Sequence, residues 1–132
     1  MTVFVDTSAF YAILDVDDNN HRQASDTLKH LREARAHLVT SNYVIAESFG
    51  LIQRRLGMKV VSAFRSHVLP IVKISWVDEY VHEDGFNYFL TCGRGGPSFV
   101  DSVSFAVMRN QGTDKAFAFD KHFSEQGFEC IP

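Results

Sequence analysis

The sequence predicts a three-layer α/β/α sandwich on a mainly parallel sheet of four to five strands. Short β-branched apolar runs alternate with longer stretches of helical periodicity, which implies parallel strands covered on both faces. Residues able to cap a helix follow the first two of those runs. No repeat, low-complexity tract or long linker divides the 132 residues, so residues 1–132 are expected to form a single domain.

Thr2 to Val5 reads as a first strand, and Asp6-Thr7-Ser8 turns the chain into a helix ending near Leu14. After the polar break Asp15 to Asn20, the spacing of Ala24, Leu28, Leu31 and Arg35 predicts a largely exposed helix from His21 to Ala36. His37 to Thr40 is a second strand. Ser41 or Asn42 caps the next helix, which places Ile45, Phe49, Ile52 and Leu56 on one face and stops at Gly57. A further helix is expected from Met58 to Leu69, where Pro70 ends it, and Ile71 to Val77 alternates as a third strand. Asp78 to Leu90 is helical in pattern, and Gly93-Arg94-Gly95-Gly96-Pro97 is a loop. Ser98 then caps a helix that Gly112 closes, with Asp101 three residues on. Ala116 to Phe119 is the fourth strand, and Phe128 to Ile131 a fifth at the sheet edge. Trp76 and the twelve phenylalanines are assigned mostly to the core.

Composition narrows the function. With 45% apolar and 22% charged residues the chain fits a globular protein. No apolar run reaches the roughly 18 residues a membrane span needs, and the N-terminus lacks a basic signal-peptide start, so a cytoplasmic protein is expected. Cys92 and Cys130 lack metal or redox spacing, and no two histidines lie three to five residues apart, which argues against zinc. The net charge of −3 argues against broad binding to nucleic acid. From Ser48 to Val77, however, there are no acids, while Arg54, Arg55, Lys59, Arg65 and Lys73 supply positive charge.

Four acids stand in apolar company: Asp6 after Val3-Phe4-Val5, Glu47 among Tyr43, Val44, Gly50 and Leu51, Asp101 within Ser98 to Ser102, and Asp120 after Ala116 to Phe119. Singly, Asp6 reads as a cap or Asx turn, Asp101 as a first-turn acid on the helix dipole, Asp120 as a turn residue and Glu47 as a snorkelling side chain. Together they point elsewhere. Ligands bind parallel sheets beyond the carboxyl ends of the strands, where Asp6 and Asp120 both lie and a loop can bring Asp101. Carboxylates about 4 Å apart repel by roughly 4 kcal/mol per pair at an effective dielectric of 20. A divalent cation removes that cost, and an all-oxygen set favours Mg²⁺ or Mn²⁺.

These residues resemble the PIN-domain family, and within it the small VapC-type ribonucleases that act as toxins in toxin–antitoxin pairs. Val3-Phe4-Val5-Asp6-Thr7-Ser8 is similar to the first family motif, and Ser41 to Glu47 to the second. Ser98 to Ala106 resembles the third, and Phe119 to Phe123 followed by Gly127-Phe128 the fourth. The resemblance implies a metal-dependent endoribonuclease in which Asp6, Glu47, Asp101 and Asp120 hold one or two Mg²⁺ or Mn²⁺ ions. The ions would lower the pKa of a water that attacks phosphorus in line, leaving a 5′-phosphate. Thr7, Ser8 and Ser98 would support the ligands. Apart from the resemblance, Arg94 in the glycine loop and Arg54 and Arg55 in the basic block are candidates to meet RNA phosphates, the alternative being a solvated loop and a solvated helical face. A cognate antitoxin that blocks the acidic groove and a homodimer are implied as partners. His122 is read as fixing the local turn. One departure is Ala118, where the family usually carries Thr or Ser, so Asp120 is the acid expected to act at one remove.

Two other readings compete. A receiver-like signalling domain shares the length, the α/β order and an acidic Mg²⁺ pocket, but it needs adjacent acids after the first strand. A catalytically inactive PIN-like module that only binds a partner or RNA is favoured by Ala118 alone.

Overall fold

The computed structural model describes residues 1–132. Five strands, β1 (Thr2–Val5), β2 (His37–Ser41), β3 (Lys73–Ser75), β4 (Lys115–Phe117) and β5 (Glu129–Ile131), form one sheet in the order β3-β2-β1-β4-β5. Every pairing is parallel.

Seven α-helices make the connections: α1 (Thr7–Leu14), α2 (His21–Glu33), α3 (Asn42–Leu56), α4 (Met58–Ala63), α5 (Glu79–Cys92), α6 (Phe99–Gln111) and α7 (Lys121–Glu125). Right-handed crossovers send α1 to α4 to one face and α5 to α7 to the other. Helix α1 accordingly packs on α2 and α3, and α6 on α5 and α7. The central strand is covered on both sides, which is why Val3, Phe4 and Val5 are all buried. Phe105 meets Phe123 edge-on at 5.0 Å, and Phe10 meets Phe64 at the same distance. No helix is long and apolar enough to cross a membrane.

The helix starts follow local chemistry. Ser41 Oγ accepts from the Val44 amide at 3.2 Å, Asp78 Oδ1 from Val81 at 2.9 Å and Ser98 Oγ from Asp101 at 3.1 Å. Each satisfies a donor that the first helical turn leaves free.

Elsewhere the expected elements are trimmed. Helix α2 stops at Glu33 rather than Ala36, because Arg35 takes a left-handed φ of 55° and the Ala36 amide bonds back to Leu31, aiming the chain into β2. The helix expected from Met58 to Leu69 is regular only to Ala63. It widens into a π turn over Phe64–Val68 that sinks Phe64 into the core, then tightens over Leu69–Ile71. Strand β3 keeps three residues of the seven expected, since as an edge strand it pairs only with β2. Trp76, assigned to the core, follows that strand and is 74% exposed. Strand β4 ends at Phe117, and the short helix α7 was not expected.

Candidate active site

The strand order reverses at β1. The chain builds β1, β2 and β3 outward on one side, then returns to lay β4 and β5 on the other. A crevice opens at such a switch point, beyond the carboxyl ends of the strands. Asp6 leaves β1 there, and Asp120 lies three residues beyond the end of β4. Helix α6 points its first turn at the same place, bringing Asp101. The three acids line one cavity of about 510 Å³.

Asp6 is 3% exposed. Its Oδ2 accepts from the Ser8 hydroxyl at 2.7 Å and the Ser8 amide at 3.1 Å, so it caps α1 as it enters the site. Ser8 Oγ also accepts from the Phe119 amide at 2.9 Å, which ties the start of α1 to the segment after β4. The second oxygen, Asp6 Oδ1, is buried without any hydrogen-bond partner, and no other buried side-chain polar atom is so placed. Such an atom costs of order 1–3 kcal/mol unless something binds it.

Burial pushes the Asp6 carboxyl up to about 6, against the pull of the Ser8 hydrogen bonds and with the charges of Glu47 and Asp120 adding to it. Asp101 is pushed further, to about 8, first by burial and then by the charges of Asp6 and Asp120. One donor atom from each of Asp101, Asp120 and His122 lies within 4.8 Å of the other two. Asp120 Oδ1 accepts from the His122 amide at 2.9 Å, so it also caps α7. Carboxylates raised chiefly by burial, and further by one another's charge, around an orphaned oxygen are a donor set that suits a hard divalent cation.

Glu47 differs from its expected setting. It lies on the exposed side of α3 at the rim of the cavity, within reach of solvent, because α3 turns Val44, Ile45, Ser48 and Ile52 inward instead. Thr7 also differs: its hydroxyl donates to the Val44 carbonyl at 3.3 Å and accepts from Ser48 at 3.1 Å. It locks α1 to α3, the helix that carries Glu47, and makes no hydrogen bond to Asp6. Ser98 caps α6 through the Asp101 amide, on the cavity's edge.

The basic residues separate. Arg55 lines the acid cavity, its guanidinium 5.4 Å from the centre of the Tyr11 ring. Arg54, one residue earlier, is not among the residues that line that cavity. Arg94 lines an adjoining cleft.

His122, Tyr11, Asp18 and Asn20, with the apolar Leu51 and Phe119, complete the cavity and were not assigned to it from sequence. His122 had a usable signal, standing two residues after Asp120. Asp18 and Asn20 stand in a loop whose path no periodicity reveals. Ala118 is buried in the segment between β4 and Asp120 and lines a different cleft, beside Cys130.

The receiver-like alternative does not survive. Thr7 stands where a second acid is needed, and the 3-2-1-4-5 sheet departs from the 2-1-3-4-5 order of flavodoxin-like folds.

Comparison with known proteins agrees with this fold. The PIN domain profile matches residues 3–129. The chain is 35% identical over 128 residues to the 23S rRNA-specific endonuclease VapC20 of Mycobacterium tuberculosis, covering 96% of this chain and 95% of that one. The crystal structure of VapC20, described as a sarcin–ricin loop cleaving toxin, superposes with a TM-score of 0.85 at 34% identity, over 98% of this chain and 99% of that one. Two more distant structures share the fold. FitAcB from Neisseria gonorrhoeae gives a TM-score of 0.71 at 18% identity, covering 100% and 97% of the two chains. VapBC2 from Rickettsia felis, bound to a promoter DNA fragment, gives 0.73 at 12%, covering 98% and 97%. A parallel five-stranded sheet with acids gathered at its switch point, matched by this profile along nearly the whole chain, shows that the chain belongs to the PIN-domain family.

Proposed function

We propose that this chain is a metal-dependent endoribonuclease, the toxin of a type II toxin–antitoxin pair, and that residues 1–132 form its single catalytic unit. The observation that carries the proposal is the buried, unpartnered Oδ1 of Asp6, a residue that lines the same cavity as Asp101 and Asp120. The similarity to VapC20 over 96% of the chain makes the sarcin–ricin loop of 23S rRNA the first substrate to test.

In this reading Asp6, Asp101 and Asp120 hold Mg²⁺ or Mn²⁺, with His122 beside them and Glu47 reaching in from the rim. A bound cation there supplies the Lewis acidity that lowers the pKa of a water and offsets negative charge on the phosphate. The protein's own residues do the positioning. Ser8 fixes the Asp6 carboxylate in one orientation with two hydrogen bonds. Ser98 and the dipole of α6 hold Asp101 at the head of its helix. Arg55, steadied over Tyr11, brings a positive charge into an otherwise acidic cavity, where it binds a phosphate oxygen of the RNA. The partners in this reading are the RNA, a cognate antitoxin covering the groove and a second copy of the chain, in the cytoplasm.

The test is cleavage of a short RNA carrying the sarcin–ricin loop by the purified protein. Cleavage is expected with Mg²⁺ or Mn²⁺, and Asp101→Asn should lower it at least a hundredfold, since a positioned metal contributes several kcal/mol. Cleavage that persists in EDTA and in Asp101→Asn overturns the proposal.

A further inference from the structure

A second cleft, of about 380 Å³, lies beside the acid cavity where α5 ends and the glycine loop leads into α6. Phe89, Leu90 and Pro97 give it apolar surface, and Arg94 lines it as well. Ser98 lines both spaces, so the cleft and the acid cavity adjoin at a single residue.

The cleft is built on rigid parts. Phe89 packs edge-on against Phe99 at 5.6 Å, and Phe99 packs in turn on Tyr43 and His82. The loop is drawn down on the end of α5: a Cβ added at Gly96 would lie 2.5 Å from that of Cys92. Gly93 holds a φ of 71°, which favours glycine. Leu90 is nevertheless 69% exposed, and Arg94 forms no salt bridge. An apolar wall and an unpaired cation thus stand together next to the cavity that receives a phosphodiester.

Those two features match the two parts of a nucleotide, a flat base with apolar faces and an anionic phosphate. The volume falls within the roughly 300–1,000 Å³ common for small-ligand sites. Unpaired bases of single-stranded RNA are captured by such surfaces, whereas bases in a duplex are stacked and inaccessible to them. We propose that this cleft holds one unpaired nucleobase next to the scissile phosphate, against Phe89 and Leu90, while Arg94 binds the adjoining backbone phosphate. The proposal rests on the ribonuclease reading above and adds to it a base subsite built by residues outside the acid cluster.

The experiment uses the whole protein and short single-stranded oligoribonucleotides, each with one abasic position next to the cleaved linkage, on its 5′ or its 3′ side. Removing the base at one of those positions is expected to lower kcat/KM about tenfold or more. Leu90→Ala, at an exposed position that leaves the core intact, should lower cleavage of the intact strand to that of the abasic one and leave the abasic strand unaffected. Leu90→Met should restore the difference. The same strands titrated in EDTA should show a matching loss of affinity, read by fluorescence anisotropy. Equal cleavage and binding of intact and abasic strands overturn the base site while leaving the nuclease reading standing. A Leu90→Ala effect equal on both strands does the same, and assigns the wall to a protein partner or to folding. Base-dependent binding without cleavage under any metal would instead retain the site and remove the nuclease reading.

Discussion

Asp6 serves two ends at once, capping α1 with one oxygen and leaving the other without a protein partner in a residue that lines the cavity. Its pKa gives a signed prediction. The folded-state values of Asp6 and Asp101 are raised above the ordinary carboxyl range, so the folded protein holds their protons more tightly than the unfolded chain. Their contribution to stability is therefore complete below about pH 4 and is lost as the pH rises through about 6 for Asp6 and about 8 for Asp101. For Asp6 the lift corresponds to on the order of 2–3 kcal/mol. Metal-free protein should melt several degrees lower at pH 8 than at pH 5.5. Asp6→Asn, which keeps the cap, should raise the metal-free Tm at pH 8 and flatten the dependence. Thermal melts in EDTA decide it, and a lower Tm for the variant would make Asp6 a structural cap alone. A second residue-scale prediction concerns Arg55. Arg55→Ala should lower kcat/KM on RNA about tenfold or more, while Arg54→Ala, outside the cavity lining, should change it less than threefold. Equal losses would mean that both act through long-range attraction of the RNA.

At the scale of elements, the site depends on how α6 is seated, because that helix aims Asp101 at the switch point. Gly85 of α5 sits against it: an added Cβ would lie 2.7 Å from Val103 Cγ2 and 2.8 Å from Val103 Cα. Alanine gains about 1 kcal/mol in helix propensity over glycine, but this overlap is with backbone and cannot be relieved by a rotamer change. Gly85→Ala should destabilise the protein by about 1–2 kcal/mol net, measured by urea unfolding; a more stable variant would show that the two helices are not held this close. The same scale separates what was readable from what was not. Caps at Ser41 and Ser98 and stops at Gly57 and Gly112 were legible, because each is a local hydrogen bond or a local φ. The length of β3 and the exposure of Trp76 were not. An alternating apolar run looks the same whether it pairs with two neighbours or, at a sheet edge, with one.

For the molecule as a whole, folding brings together acids from β1, α6 and the segment after β4, so a cation that binds them binds only the folded state. Mg²⁺ or Mn²⁺ at about a hundred times its Kd should stabilise the wild type by roughly 2.7 kcal/mol, and Asp101→Asn should lose most of that gain. Differential scanning calorimetry with and without metal measures both, and a Tm indifferent to metal removes the cation from the site. The sequence by itself determined the order of the strands and of every helix but α7, the caps at Ser41 and Ser98, and the apolar company of Asp6, Asp101 and Asp120, because hydrophobic period, capping chemistry and charge in apolar company are local properties. Only the tertiary structure placed Glu47 at the rim, separated Arg55 from Arg54 and added Tyr11, Asp18, Asn20 and His122 to the cavity. Those facts depend on the direction in which each side chain leaves its element once the sheet reverses at β1. That direction is set by packing between residues far apart in the chain.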